Sequence, residues 1–83
     1  MTLTLIVNVK VKGSRRELIA LYNSLKPDNI DIPPAINLKM LISKDQLEIV
    51  VTSKIEEILK LKSTIDDITR CLTGVLEMLS HNY

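Results

Sequence analysis

The chain has no phenylalanine, no tryptophan and only two tyrosines among its 83 residues. Without those rings it offers no platform on which bases could stack, which excludes the aromatic strands of an RRM. Gly13 and Gly74 are the only glycines. They are too few and too far apart for a phosphate-cradling loop, and the GXXG loop of KH domains is missing as well. A single cysteine, Cys71, rules out a disulfide framework within the chain and points to an intracellular setting. The one histidine, His81, lies in the tail, and no His-supported nucleophile can be assembled from the sequence. With Cys71 it makes no metal set, because a zinc site needs about four ligands at defined spacings. Asp66 and Asp67 resemble paired acids, but neighbours on a helix point about 100° apart. Their simpler reading is a solvated face, with Asp66 near Lys62 and Arg70. No run approaches membrane-spanning length, and the first stretch is too short and polar for a signal peptide. These absences describe one cytoplasmic domain over residues 1–83, with no cofactor, no metal and no catalytic residue: not an enzyme.

What is present is aliphatic. Ile58, Leu61, Ile65, Ile68, Leu72, Val75 and Leu79 recur at alternating steps of three and four, the spacing of a helix that packs against other helices. Leu59, Cys71, Leu76 and Met78 widen the stripe, so this element needs two neighbours, one of which could be another chain. The spacing predicts a helix from Ser53 to Leu79, opened by a capping box in Ser53 and Glu56. Glu56 with Lys60, and Asp66 with Arg70, are acid-before-base pairs at i,i+4.

Earlier in the chain, Leu3, Leu5, Val7, Val9 and Val11 alternate with Thr4, Ile6, Asn8, Lys10 and Lys12, which predicts a strand with one buried face. Gly13 ends it. Ser14 and Glu17 form a capping box for a helix to about Leu25, with Leu18, Leu21, Tyr22 and Leu25 inward. Lys26 to Pro34 is a loop carrying three prolines. Ile36, Leu38, Met40 and Ile42 then mark a second strand. A turn over Ser43–Gln46 leads into a third, with Leu47, Ile49 and Val51 inward. Residues 80–83 read as a frayed tail.

The predicted fold is α+β, strand–helix–strand–strand–helix, a three-stranded antiparallel sheet with two helices packed on one face. The opposite face carries Ile6, Leu41 and Val50, one per strand. They form either a self-association patch or scattered exposed aliphatics. Lys10, Lys12, Arg15 and Arg16 cluster around Gly13, as a solvated surface or as a supporting phosphate contact in a larger assembly. A formal charge of +1 argues against nucleic acid held by bulk electrostatics alone.

Three stretches carry a family resemblance. They are Leu25-Lys26-Pro27-Asp28-Asn29 with the prolines after it, the alternating strand pair that follows, and Leu61-Lys62-Ser63-Thr64-Ile65-Asp66-Asp67-Ile68. Together they resemble the small dimerisation subunit of the KEOPS complex, the Pcc family related to the CTAG/LAGE antigens, in its archaeal type. The likeness covers essentially the whole chain. The helix segment is similar to the family's Leu-Arg-x-x-Leu-Asn run, with Lys62 for Arg, Ile65 for Leu and Asp66 for Asn. The connection from the third strand to the helix is a residue or two longer than usual in the family.

The resemblance implies a non-catalytic scaffold. KEOPS installs threonylcarbamoyladenosine in tRNA next to the anticodon through a separate ASKHA-fold catalytic subunit, with a small kinase-like ATPase and its binding partner alongside. The small subunit would dimerise and dock its helices on the catalytic subunit, bridging two copies. Ile58, Leu61, Ile65, Ile68, Leu72 and Val75 are then candidates for partner or dimer contacts, with Ile6, Leu41 and Val50 on the sheet. Lys10, Lys12, Arg15, Arg16 and Lys39 would be possible tRNA contacts. The partner in the dimer is either a second copy or a paralogue. The alternative is a stand-alone KH-like module that binds RNA or DNA.

Overall fold

The computed structural model describes residues 3–26 and 32–80. Its elements are β1 (Thr4–Lys12), α1 (Arg15–Leu25), β2 (Asn37–Ser43), β3 (Gln46–Lys54), a 3-10 turn (Ile55–Glu57) and α2 (Ile58–Ser80). The order and class are those that the alternation patterns predict. Met1, Thr2, residues 27–31 of the proline-bearing loop and residues 81–83 of the tail lie outside the described residues. Helix α2 itself continues through Ser80.

The sheet order is β1-β3-β2, with β3 antiparallel to both neighbours. The two edge strands therefore run parallel to each other, joined through α1 by a crossover that leaves room for β3 between them. Period-two alternation sends Leu47, Ile49 and Val51 of β3 under the helices, where all three are fully buried. They join Leu18, Leu21, Leu25, Ile36, Leu61, Ile68 and Val75 in one core. The inward residues of the edges, Leu5, Val7, Val9 and Val11 on β1 and Leu38, Met40 and Ile42 on β2, are only half-buried. Leu3, predicted to continue that set, precedes β1 and is exposed. Its carbonyl accepts a hydrogen bond from the Ile55 amide at 2.9 Å.

Helix α1 opens as predicted. The Ser14 amide donates to Glu17 Oε1 at 2.8 Å, and the Glu17 amide donates to Ser14 Oγ at 3.2 Å. This box holds the Glu17 carboxyl below the usual carboxylate range, first through the backbone bond and then through the hydroxyl. Gly13 serves close approach rather than an unusual backbone angle. A Cβ there would sit 3.2 Å from Glu17 Oε1, and the Gly13 amide donates to the Asp45 carbonyl at 3.1 Å.

The second capping box does not form. Ser53 is buried inside β3, paired with Leu5, and its hydroxyl donates to the Lys54 carbonyl at 3.1 Å. Nine-residue β1 needs partners as far as Thr4, so β3 runs on to Lys54 and Ser53 becomes the last inward residue of the strand. A 3-10 turn without a side-chain cap follows, and α2 begins at Ile58 rather than Ser53. Glu56 then lies outside the α-helix. The ion pairs are Glu57–Lys60 at 3.1 Å, from the 3-10 turn into α2, and Asp67–Arg70 at 3.3 Å within α2, both at i,i+3 instead of the predicted i,i+4. Exposed pairs of this kind contribute a few tenths of a kcal/mol.

Two serines with the same sequence signature therefore have different weights. Ser14→Ala should cost about 1 kcal/mol of unfolding free energy, and Ser53→Ala less than half as much, read by urea denaturation. Equal losses would contradict the helix start at Ile58. Because the pKa of Glu17 is lowered on folding, its contribution is present at neutral pH. That contribution disappears as pH falls through the depressed folded value, and the Glu17→Gln protein should lose that part of the acid dependence.

Candidate protein interaction site

Helix α2 is the element with more apolar surface than the fold uses. Its 23 residues span about 34 Å against about 16 Å for the 11 residues of α1, so α1 covers only part of its length. Leu61, Thr64, Ile68 and Val75 form the seam turned into the core, at 5, 1, 2 and 7 % exposure. Thr64 satisfies its hydroxyl by donating to the Lys60 carbonyl at 2.9 Å. Three of the residues proposed as partner contacts, Leu61, Ile68 and Val75, are thus core residues of this chain with almost no surface of their own left.

Ile58, Ile65 and Leu72 sit one heptad apart on the flank beside that seam, and Leu76 follows Leu72 by one turn. Ile58 and Leu76 are exposed, while Ile65 and Leu72 are half-buried. Thr69 and Thr73 stand next to them with hydroxyls bonded back to the Ile65 and Thr69 carbonyls, each at 2.9 Å. From Thr69 to Leu76 this flank, with Thr69, Leu72, Thr73 and Leu76, carries no charge. Leu59, at 77 % exposure, points away from the seam.

The lower part of the flank faces β1. Leu5, Ile6 and Val7 on the strand and Ile58, Leu61, Lys62, Ile65 and Asp66 on the helix line an open groove of about 280 Å³. Its walls are aliphatic, with one cation and one anion at the rim. Lys62 and Asp66 enter no ion pair among the described residues.

The strand wall is also a sheet edge with which no other strand pairs among the described residues. Leu3 accepts from the Ile55 amide and Gly13 donates to the Asp45 carbonyl. Odd-numbered residues of β1 therefore turn their backbone groups toward β3. The amides and carbonyls of Thr4, Ile6, Asn8, Lys10 and Lys12 point outward from the edge. Lys10 and Lys12 guard one end of this edge, whereas Thr4 to Asn8, beside the groove, has no charge, proline or bulge to block pairing.

On the outer face of the sheet, Ile6, Val50 and Leu41 fall on a diagonal and not in one row: Ile6 faces Thr52, Val50 lies between Asn8 and Lys39, and Leu41 faces Glu48. Diagonal neighbours are about 7–8 Å apart, so the three make a broken line among polar residues. Lys10, Lys12 and Lys39 are exposed on that face. Glu48 partly offsets Lys10 at 4.0 Å and accepts from Asn8 Nδ2 at 3.2 Å. Arg15 and Arg16 are exposed in the first turn of α1, the end at which the helix dipole disfavours cations. The structure puts Lys10, Lys12 and Lys39 on the outer sheet face, Lys39 in the central row with Val50 and Asn8, while Arg15 and Arg16 stand on α1 just past the end of β1. The groove residues Leu5, Val7, Lys62 and Asp66 were not among the sequence candidates. Only strand order could reveal them, because it decides which strand stands beside α2 with a free edge.

Among the described residues no group of three or more His, Cys, Asp or Glu could hold a metal ion, and no helix is long and apolar enough to cross a membrane. No family model matches the chain, nor does any curated protein or solved structure.

The two faces of α2 should separate in stability. Ile68→Ala should cost about 2–5 kcal/mol, and Leu59→Ala should change unfolding by less than about 0.5 kcal/mol. Denaturation curves in the reverse order would mean that the core seam is misassigned.

Proposed function

We propose that this chain is a non-catalytic, cytoplasmic scaffold subunit of the KEOPS type. It dimerises and docks its long helix on the ASKHA-fold catalytic subunit that modifies tRNA. The observation that carries this reading is the apolar groove between the free edge of β1 and α2, continued by the uncharged flank from Thr69 to Leu76. A groove walled by aliphatic side chains and a strand with outward-facing amides suits protein contact, by strand addition and helix packing together. The residues that remain for partners are Ile6, Ile58, Ile65, Leu72 and Leu76.

Light scattering on the purified chain, alone and with an archaeal ASKHA-fold catalytic subunit, tests this. The expected result is a stable complex larger than either component. A chain that ignores that subunit at micromolar concentrations would overturn the scaffold assignment.

The basic positions support a second role within the same assembly, contact with the tRNA backbone. Replacing Lys10, Lys12, Arg15 and Arg16 by Glu should weaken tRNA binding by the assembled complex and flatten its salt dependence without dissolving the complex. Unchanged tRNA affinity with the complex intact would remove that role. Strong salt-dependent binding by the isolated chain would instead favour the KH-like module.

A further inference from the structure

Strand β2 forms the second edge of the sheet, and no strand pairs with its outer side among the described residues. We propose that this edge takes an acidic, extended segment of another protein as a fourth strand, antiparallel to β2. The inference goes beyond the scaffold reading and does not depend on it, because it concerns the margin opposite the groove.

The register defines what the edge offers. Odd-numbered residues of β3 bond to β1, so Gln46, Glu48, Val50 and Thr52 turn their backbone groups to β2. Their partners there are Ser43, Leu41, Lys39 and Asn37. The amides and carbonyls of Leu38, Met40 and Ile42 are therefore left facing outward. Pairing starts no earlier than Leu38, since the Ile36 amide already donates to the Pro33 carbonyl. Residues of an added strand opposite Leu38, Met40 and Ile42 would lie on the helix side, where those three side chains are half-buried. The residue opposite Lys39 would fall on the outer face in a non-hydrogen-bonded pair, the geometry that brings side chains closest.

Charge decides what occupies the edge. The right-handed crossover seats α1 over β2 and turns its outer stripe away from α2. That stripe is apolar in its middle, at Ile19 and Tyr22, and cationic at both ends, at Arg15 and the C-cap Lys26. The Lys26 ammonium sits 5.7 Å from the centroid of the Tyr22 ring. Lys39 on β2 and Lys44 in the turn after it are exposed as well. None of these four cations enters an ion pair among the described residues. Neither β2 nor the stripe contains an acid, and only Asp45 in the turn stands against them. Glu48 on β3 is held by Lys10 and Asn8. A second copy would bring the same cations, and an antiparallel pair centred on Met40 would set Lys39 diagonal to its own copy, so like charges disfavour self-pairing. A segment alternating acidic and apolar residues answers both the charge and the half-buried row.

Fluorescence anisotropy of a labelled peptide alternating Glu and Val, titrated with the full chain, tests this. Binding should saturate, and the same peptide with Lys in place of Glu should bind at least about tenfold more weakly. N-methylation of the Val amides, which face β2, should abolish binding, whereas N-methylation of the Glu amides, which face away, should preserve it. That comparison uses the unaltered protein, so no folding defect enters it. Lys39→Glu, at an exposed position, should weaken the Glu–Val peptide by about tenfold and favour the Lys–Val peptide. Lys54→Glu, the same charge change beyond the β2 ladder, should alter binding by less than about twofold. Absence of binding, indifference to Val methylation, or equal effects of the two charge reversals would each overturn the proposal. So would a fall in sedimenting mass when the peptide is added, which would assign the edge to a second copy.

Discussion

Everything in this small fold depends on β3 being hydrogen-bonded on both sides and dry on one face. Leu47, Ile49 and Val51 are fully buried there, each contributing about 1.5–3 kcal/mol of hydrophobic stabilisation. A chain without phenylalanine or tryptophan has, among its described residues, only the half-buried Tyr22 ring against its core. It must use many aliphatic side chains that interlock across several elements. The third strand is where they converge: β1 and β2 flank it, and both helices rest on it. Its length also sets the end of the sheet, because β1 would lose partners if β3 stopped before Lys54.

Completing the centre leaves the margins incomplete. The inward residues of both edge strands remain half-buried, and α1 is too short to shield all of α2. The two margins are not equivalent. Pro33-Pro34 precede β2, and the Ile36 amide turns back to the Pro33 carbonyl at 3.0 Å, so that edge begins at a rigid bend. The first strand has no such device near Thr4, and there the apolar flank of α2 runs beside it. Surplus aliphatic surface and an unguarded edge coincide at one place, which is why a single partner could satisfy both at once.

Strand and helix existence were legible because their periods are clean. Leu5 to Val11, Leu38 to Ile42 and Leu47 to Val51 alternate without a break, and α2 holds its three-four spacing from Ile58 to Leu79. The start of α2 at Ile58 departs from the sequence signal at Ser53 for a physical reason. Ser-x-x-Glu satisfies helix donors only if the serine has already left the sheet, and at Ser53 the tertiary demand of β1 overrides that local signal. The same four-residue signature at Ser14 holds because β1 has ended, and Gly13 gives the Glu17 carboxylate room. The groove was illegible for a different reason. Nothing in the alternation of β1 distinguishes an edge strand from a central one, so Lys62 and Asp66 read only as solvated charges until the order β1-β3-β2 placed them at a rim.

The formal charge of +1 conceals an uneven distribution. The outer sheet face holds Lys10, Lys12, Lys39 and Lys54 against Glu48 alone, four cations less one anion, or +3. The 3-10 turn and α2 hold Glu56, Glu57, Asp66, Asp67 and Glu77 against Lys60, Lys62 and Arg70, five anions less three cations, or −2. Charge counted over the whole chain therefore understates what either face presents to a partner within a Debye length of about 8–10 Å. The sheet and the long helix therefore present opposite signs on opposite sides of the chain, and Lys10 and Lys12 also hinder further pairing at one end of β1.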